Sequence, residues 1–364
     1  MADLAFPVLP EARLRHMLEP PEGPVRLVID TDAHNEIDDQ FALAWALLSR
    51  DAFEIEGVLA APYSFAHHRD ALLAAFDDVQ REARPGGPEV AIVGSYHRWA
   101  RNLVAAGTDP RDVVFVGPDE GMELSYQEAI KVYELLGEDP RGAIFRGTPG
   151  YLPGPDQPVH SEAVDQLIER AMSDDERPLY VAAIGAVTNI ASAILIEPRI
   201  IERIVVVWTS SYPSWSPLSS RPSLNLVQDL PASRLLFDSG VPLVYLPGFY
   251  VGAQLTISLP DMERWVKGRG RIGDYLYHLY TNNPIQAQRG ITDQADRTWV
   301  IWDLICFAWL LDPEWVPSLL TPSPVLDEEL RWAHPAGRHV MREGVGIDRD
   351  AIFRDFYRKL EAAP

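Results

Sequence analysis

Residues 28–43 read Val28-Ile29-Asp30-Thr31-Asp32-Ala33-His34-Asn35-Glu36-Ile37-Asp38-Asp39-Gln40-Phe41-Ala42-Leu43. An apolar, β-branched run passes into four aspartates and a glutamate and then into a segment with helically spaced apolar residues. A strand, an acidic turn and a helix in that order open an α/β unit, in which ligands sit in the crevice outside the carboxyl ends of parallel strands. Asp30 and Asp32 fall at that end. Asp38 and Asp39 fall in the first helical turn, where the helix dipole favours negative charge. Capping accounts for any one of these acids, but not for the group. Closely set carboxylates repel one another unless a cation or raised pKa values offset the repulsion.

Working outward, short apolar stretches at 25–29, 180–184, 204–208 and 243–246 read as buried strands, and helical periodicity runs through 39–48, 68–76, 162–172, 189–194 and 232–237. Strand followed by helix, repeated, predicts an α/β fold: a mostly parallel open sheet, Rossmann-like, flanked by helices. Proline clusters at 20–24, 149–158 and 213–222 read as loops. Residues 1–24 are expected to form a surface arm and 25–364 a single domain. The long segments 94–128 and 256–295 are expected to supply lids or helical insertions over the sheet edge.

The 364 residues are 47% hydrophobic and 23% charged, enough apolar material for one large domain or two ordinary ones. Lys and Arg number 32 against 53 Asp and Glu, a net charge of −21, the wrong sign for a partner of nucleic acid polymers or anionic membranes. A single cysteine, Cys306, excludes an internal disulfide and a thiolate zinc cage, and fits a reducing cytoplasm. No apolar run reaches the ~20 residues of a spanning helix, and the first residues lack the pattern of a signal peptide.

A second acidic signal lies far along the chain. Trp299-Val300-Ile301-Trp302-Asp303-Leu304-Ile305-Cys306-Phe307-Ala308-Trp309-Leu310-Leu311 reads as a helix that is apolar on nearly every face, broken only by Asp303. An ionised carboxylate there is costly unless it is paired or ligates a metal. The alternatives are a helix N-terminus that leaves Asp303 partly wet, or an arginine partner such as Arg297. Both acidic regions are explained together as ligands of one ion. Carboxylate oxygens select Ca²⁺ or Mg²⁺ over zinc, and flexible carboxylates with room for substrate oxygens favour Ca²⁺.

These residues resemble the inosine-uridine preferring nucleoside hydrolases, whose opening motif is Asp-x-Asp-Pro-Gly-x-Asp-Asp followed by an Ala-Leu helix. Gly185-Ala186-Val187-Thr188-Asn189-Ile190-Ala191 with Glu197-Pro198-Arg199-Ile200 is similar to the family's Gly-Pro-Leu-Thr-Asn-Ile-Ala and Glu-Pro-Arg-Ile stretch. Leu224-Asn225 with Asp229, and Trp302-Asp303 with Leu311-Asp312-Pro313-Glu314, follow in the family's order. The resemblance covers roughly residues 25–320. It implies Ca²⁺-dependent hydrolysis of the N-glycosidic bond of a ribonucleoside or related N-riboside. Asp32, Asp39, Asp303 and the carbonyl of Ile184 would hold the ion, with Asp32 also taking a proton from water. Asp38 and Asn225 would bind ribose hydroxyls, and Asp30 would organise the site from behind; Trp302 is either a platform on which a base stacks or a core aromatic of the apolar helix. Relatives of this type are usually dimers or tetramers, so a homodimer or homotetramer is expected.

The chain also departs from that pattern. The loop from Asp32 to Asp38 is two residues longer and carries Ala33-His34 in place of Pro-Gly, so Glu36 could replace one aspartate. Ala60-Ala61-Pro62-Tyr63-Ser64 offers no asparagine after the second strand. Ser223 stands where the family has a glutamate that contacts the ribose 5′-hydroxyl, and Trp302 where inosine-uridine members have a proton-donating His. His34 is the alternative acid, and Tyr275, Tyr277 and Tyr280 are either lid aromatics or packing residues. Two other readings stand beside this one. One is a ribose- or nucleoside-binding protein without turnover. The other is a haloacid-dehalogenase-type phosphatase with Asp30 as nucleophile.

Overall fold

The computed structural model describes residues 6–82, 95–291 and 298–363. Strand β1, Val25–Thr31, is buried along its whole length, which explains its lack of alternation: a strand of a parallel sheet is covered on both faces. It is joined by β2 (Phe53–Ala60), β3 (Ile144–Phe145), β4 (Leu179–Ala183), β5 (Ile204–Ser210) and β6 (Leu243–Pro247). The eight-stranded sheet runs β3-β2-β1-β4-β5-β6 and continues through Val340–Gly344 to Ser318–Pro322. Val340–Gly344 pairs parallel with β6, and only the edge pairing with Ser318–Pro322 is antiparallel.

The chain leaves β1 toward β2 and β3, then returns to β4 on the other side, so strand order reverses between β1 and β4. This switch point opens the crevice in which α/β sheets bind ligands. Asp30 pairs with Ala183, and the Ile184 amide donates to the Asp30 carbonyl at 2.9 Å. Asp32 and Ile184 therefore leave the sheet side by side. The opposite end of β1 holds Arg26, 3% exposed, whose guanidinium donates to both Glu56 oxygens (2.6 and 3.1 Å), Ser173 Oγ, and the Arg170 and Arg177 carbonyls (3.0 Å each).

The expected strands and helices form, with small shifts. The helix read at 39–48 is Asp38–Leu47, and those read at 162–172 and 232–237 are Glu162–Ala171 and Leu230–Asp238. Within the segment read as an arm, helix Glu11–Met17 buries Leu14 and Met17, with Leu18 beyond it, in the main core. Arg13 donates to the Glu202 carbonyl at 2.8 Å and Arg342 to that of Leu18, fastening the segment. Residues 299–311 are not one helix. Thr298–Val300 pairs antiparallel with Thr256–Ser258, and the helix begins only at Leu304, with Asp303 as its N-cap residue. A uniformly apolar run has no period that marks where a strand ends and a helix starts.

The final helix, Arg349–Glu361, is tied to the core by a hydrogen bond from Trp45 Nε1 to Asp355 (3.0 Å). Among the described residues no helix is long and apolar enough to cross a membrane.

Candidate active site

At the carboxyl ends of β1, β4 and β5 lies a cavity of about 420 Å³ lined by Asp32, Glu36, Asp38, Asp39 and Asp303, together with Ile184 and Asn225. The acids arrive from three local structures. Asp32 follows β1, Asp38 and Asp39 open a helix whose ten residues are all buried, and Asp303 precedes the apolar helix Leu304–Leu311. One oxygen each from Asp38, Asp39 and Asp303 lie within 4.8 Å of one another. Calcium binds carboxylate oxygens at about 2.3–2.6 Å, so such a trio can share one ion. Asp38 stands in this trio where the resemblance implied Asp32; Asp32 lines the same cavity, beside the three, and raises the pKa of Asp303.

Burial dominates the electrostatics. It pushes Asp32 well above the usual carboxylate range, reinforced by Asp39 and Asp38, while Asn35 opposes it with a 2.5 Å hydrogen bond from Nδ2 to Oδ2. Burial likewise raises Asp38, with Glu36 and Asp39 adding to it, and Asp303, with Asp38 and Asp39 adding to it. Asp39 rises to about 7 through burial, although the Thr31 hydroxyl donates to it at 2.5 Å. Asp32 Oδ1 is buried without a hydrogen-bond partner. Carboxylates this crowded, dry and under-satisfied fit a hard divalent cation, which removes the repulsion and completes the empty acceptor positions.

The surroundings hold this set in place. A Cβ on Gly185 would lie 2.9 Å from Asp32 Cγ, so only glycine lets the turn after β4 pass the carboxylate. Asn189 clamps three segments: its Nδ2 donates to Asp30 (2.8 Å) and the Ala60 carbonyl (3.2 Å), and its Oδ1 accepts from the Thr148 amide (2.9 Å). Asp229 caps the helix Leu230–Asp238 and accepts from Thr188 at 2.7 Å. Asn225 Nδ2 donates to the carbonyls of Ile184 (2.9 Å) and Thr209 (3.2 Å).

The model of the inosine-uridine preferring nucleoside hydrolase family matches residues 27–353. The chain belongs to that family. Among its relatives, the pyrimidine-specific ribonucleoside hydrolase RihB of Escherichia coli is 24% identical over 187 residues, 51% of this chain and 58% of that protein. The chain thus spans little more than half the length of that curated relative. An uncharacterised Schizosaccharomyces pombe protein is 26% identical over 240 residues, covering 62% of this chain and 74% of that one. The fold is that of the purine-preferring ribonucleoside hydrolase from Gardnerella vaginalis, with TM-score 0.59 and 16% identity over 93% of this chain and 98% of that one. The inosine-uridine preferring nucleoside hydrolase from Bacillus anthracis gives 0.58 and 15% over 93% and 99%.

Of the residues singled out by sequence, Asp32, Asp38, Asp39, Ile184, Asn225, Trp302, Asp303 and Glu36 all line the cavity. Asp30 and His34 do not. Asp30 sits behind, with Oδ1 on Asn189 and a pKa raised to about 7 by burial. The ring of His34 turns to the Tyr63 hydroxyl, its Nδ1 2.8 Å away. Tyr275 and Tyr280 bond Glu128 and the Ile257 carbonyl, and with Tyr277 they pack against the core instead of lining the cavity. Arg297 lies outside the described residues. Phe249, Trp299 and Arg289 line the cavity without having been singled out. Arg289 falls inside 256–295, read as a lid or insertion, but nothing in Gln286-Ala287-Gln288-Arg289-Gly290 marks one cation as functional.

Proposed function

We propose that the protein hydrolyses the N-glycosidic bond of a ribonucleoside or related N-riboside, with Ca²⁺ held by Asp32, Asp39, Asp303 and the Ile184 carbonyl, and with Asp38, whose oxygen lies within 4.8 Å of those of Asp39 and Asp303, adjoining the same ion. When bound, the ion supplies Lewis acidity toward water and sugar oxygens. Asp32 is held by Asn35 through one oxygen, and its other, unpartnered oxygen takes a proton from the attacking water. Asn225 spends its amide hydrogens on two carbonyls, so its Oδ1 is the atom offered to a ribose hydroxyl, with Asp38 as the second acceptor. The buried negative charge favours the oxocarbenium-like sugar that forms as the bond to the base breaks. Trp302, edge to face with Phe249 at 5.7 Å, offers a surface on which a base stacks.

The observation that carries this reading is the convergence of Asp32, Asp38, Asp39 and Asp303 on one cavity at the switch point of the sheet. The phosphatase reading requires Asp30 as nucleophile, yet Asp30 does not line the cavity. The binding-only reading is favoured by one observation, the orientation of His34 away from the cavity. Metal analysis of the purified protein, with ribose release measured over a panel of nucleosides with and without chelator, separates the two. Chelator-sensitive ribose release is expected. Tight nucleoside binding with no release from any member of the panel would sink the hydrolase reading.

A further inference from the structure

The acidic floor of the cavity accounts for the sugar and the water, and leaves the departing base without a partner. The rest of the cavity wall includes Phe249, Trp299, Trp302 and Arg289. Arg289 is the only cationic side chain lining the cavity among the described residues. It follows the helix Pro284–Gln288, and the Arg289 amide donates to the Ile285 carbonyl at 3.0 Å. Ile285 packs in one cluster with Trp299 and Leu224, two other cavity residues, so the arginine is carried on a segment seated against the aromatic wall. Glu36 lines the same cavity. Among the described residues the guanidinium forms no hydrogen bond or ion pair of its own, so its donors are available to a ligand.

When an N-glycosidic bond breaks, its electron pair goes to the base nitrogen, and an unprotonated purine or pyrimidine departs carrying negative charge. Such a departure needs an acid or a fixed positive charge at the base. His34 is turned to Tyr63, and the indole of Trp302 is not an acid at neutral pH. We propose that Arg289 is the leaving-group residue of this site, binding the departing base and stabilising its negative charge in place of a general acid. The inference rests on the hydrolase reading above. The balance is simple: the water oxygen bonds to C1′, the C1′–N bond breaks, the water proton goes to Asp32, and the base anion collects its proton from solvent.

The test compares two leaving groups on the calcium-loaded protein. Inosine departs as an anion unless assisted, whereas N7-methylinosine carries its positive charge already and leaves as a neutral base. Arg289→Gln is expected to lower kcat for inosine at least ~100-fold, the scale for loss of one preorganised charge-stabilising donor, with KM changed much less. The N7-methylinosine rate should stay near wild type, and Arg289→Lys should recover part of the inosine rate. Thermal midpoints of the variants matching wild type establish that the fold is retained. Equal losses on both substrates, or no loss on inosine, overturn the assignment of Arg289. If the wild type releases ribose from neither substrate, nor from any other nucleoside and its N-alkylated cation, the hydrolase reading falls and takes this one with it.

Discussion

The two ends of β1 treat buried charge in opposite ways. At its amino end Arg26 is nearly as buried as any core residue, and its guanidinium meets two carboxylate oxygens, a hydroxyl and two carbonyls. At its carboxyl end Asp32 is just as buried, keeps one oxygen unpartnered and shares its cavity with four more carboxylates. The first arrangement is satisfied within the fold. The second is complete only with something from outside. Two buried charges six residues apart, one on β1 and one just past its end, thus differ chiefly in how far their hydrogen bonds are satisfied.

Removing charge from the carboxyl end should break function while relieving the fold. Asp32→Asn and Asp303→Asn are each expected to cut turnover by at least about a thousandfold, the cost of losing a proton acceptor or a cation ligand. The same changes should raise the thermal midpoint of chelator-treated protein by a few degrees, since each removes one of the repelling charges. Steady-state kinetics and thermal unfolding with chelator check both halves, and a lower midpoint would show that the cluster is not repulsive. The amino end should behave the other way round. Arg26→Met strands Glu56 beside an apolar side chain and should cost about 3 kcal/mol in urea unfolding, with kcat unchanged.

A smaller effect is expected at Gly185. Alanine there forces Asp32 aside, and activity should fall about tenfold with a stability loss of about 1–3 kcal/mol, read by kinetics and urea unfolding. Smallest is the pH response of a group far from both ends. Burial lowers His339 to about 4, whereas an unfolded histidine titrates near its ordinary 6.5. Between those values the unfolded chain binds more protons, so stability falls as pH drops from 6.5 toward 4. His339→Gln should flatten that part of the urea midpoint against pH.

Much of this was legible in the residues themselves. The passage from Val28 to Asp39 announces strand, acidic turn and helix because burial demands apolar residues and a cation demands oxygens. Asp303 is conspicuous because nothing around it is polar. The first helix was hidden because four apolar residues, Leu9, Leu14, Met17 and Leu18, are too few to separate a docked helix from an arm. Arg289 was hidden for a different reason: its place in the cavity wall depends on where the segment after helix Pro284–Gln288 docks, a long-range fact with no local pattern. His34 shows the converse, since nearness in sequence to the acids placed it in the right loop but not on the right side of it.

The strand Val340–Gly344 has a consequence for biosynthesis. It lies between β6 and Ser318–Pro322, although it is made after both. Until Val340–Gly344 has left the ribosome, β6 presents an open backbone edge to its surroundings, a template for pairing with other chains. Premature termination within this region should therefore yield insoluble product more readily than a merely weakened enzyme.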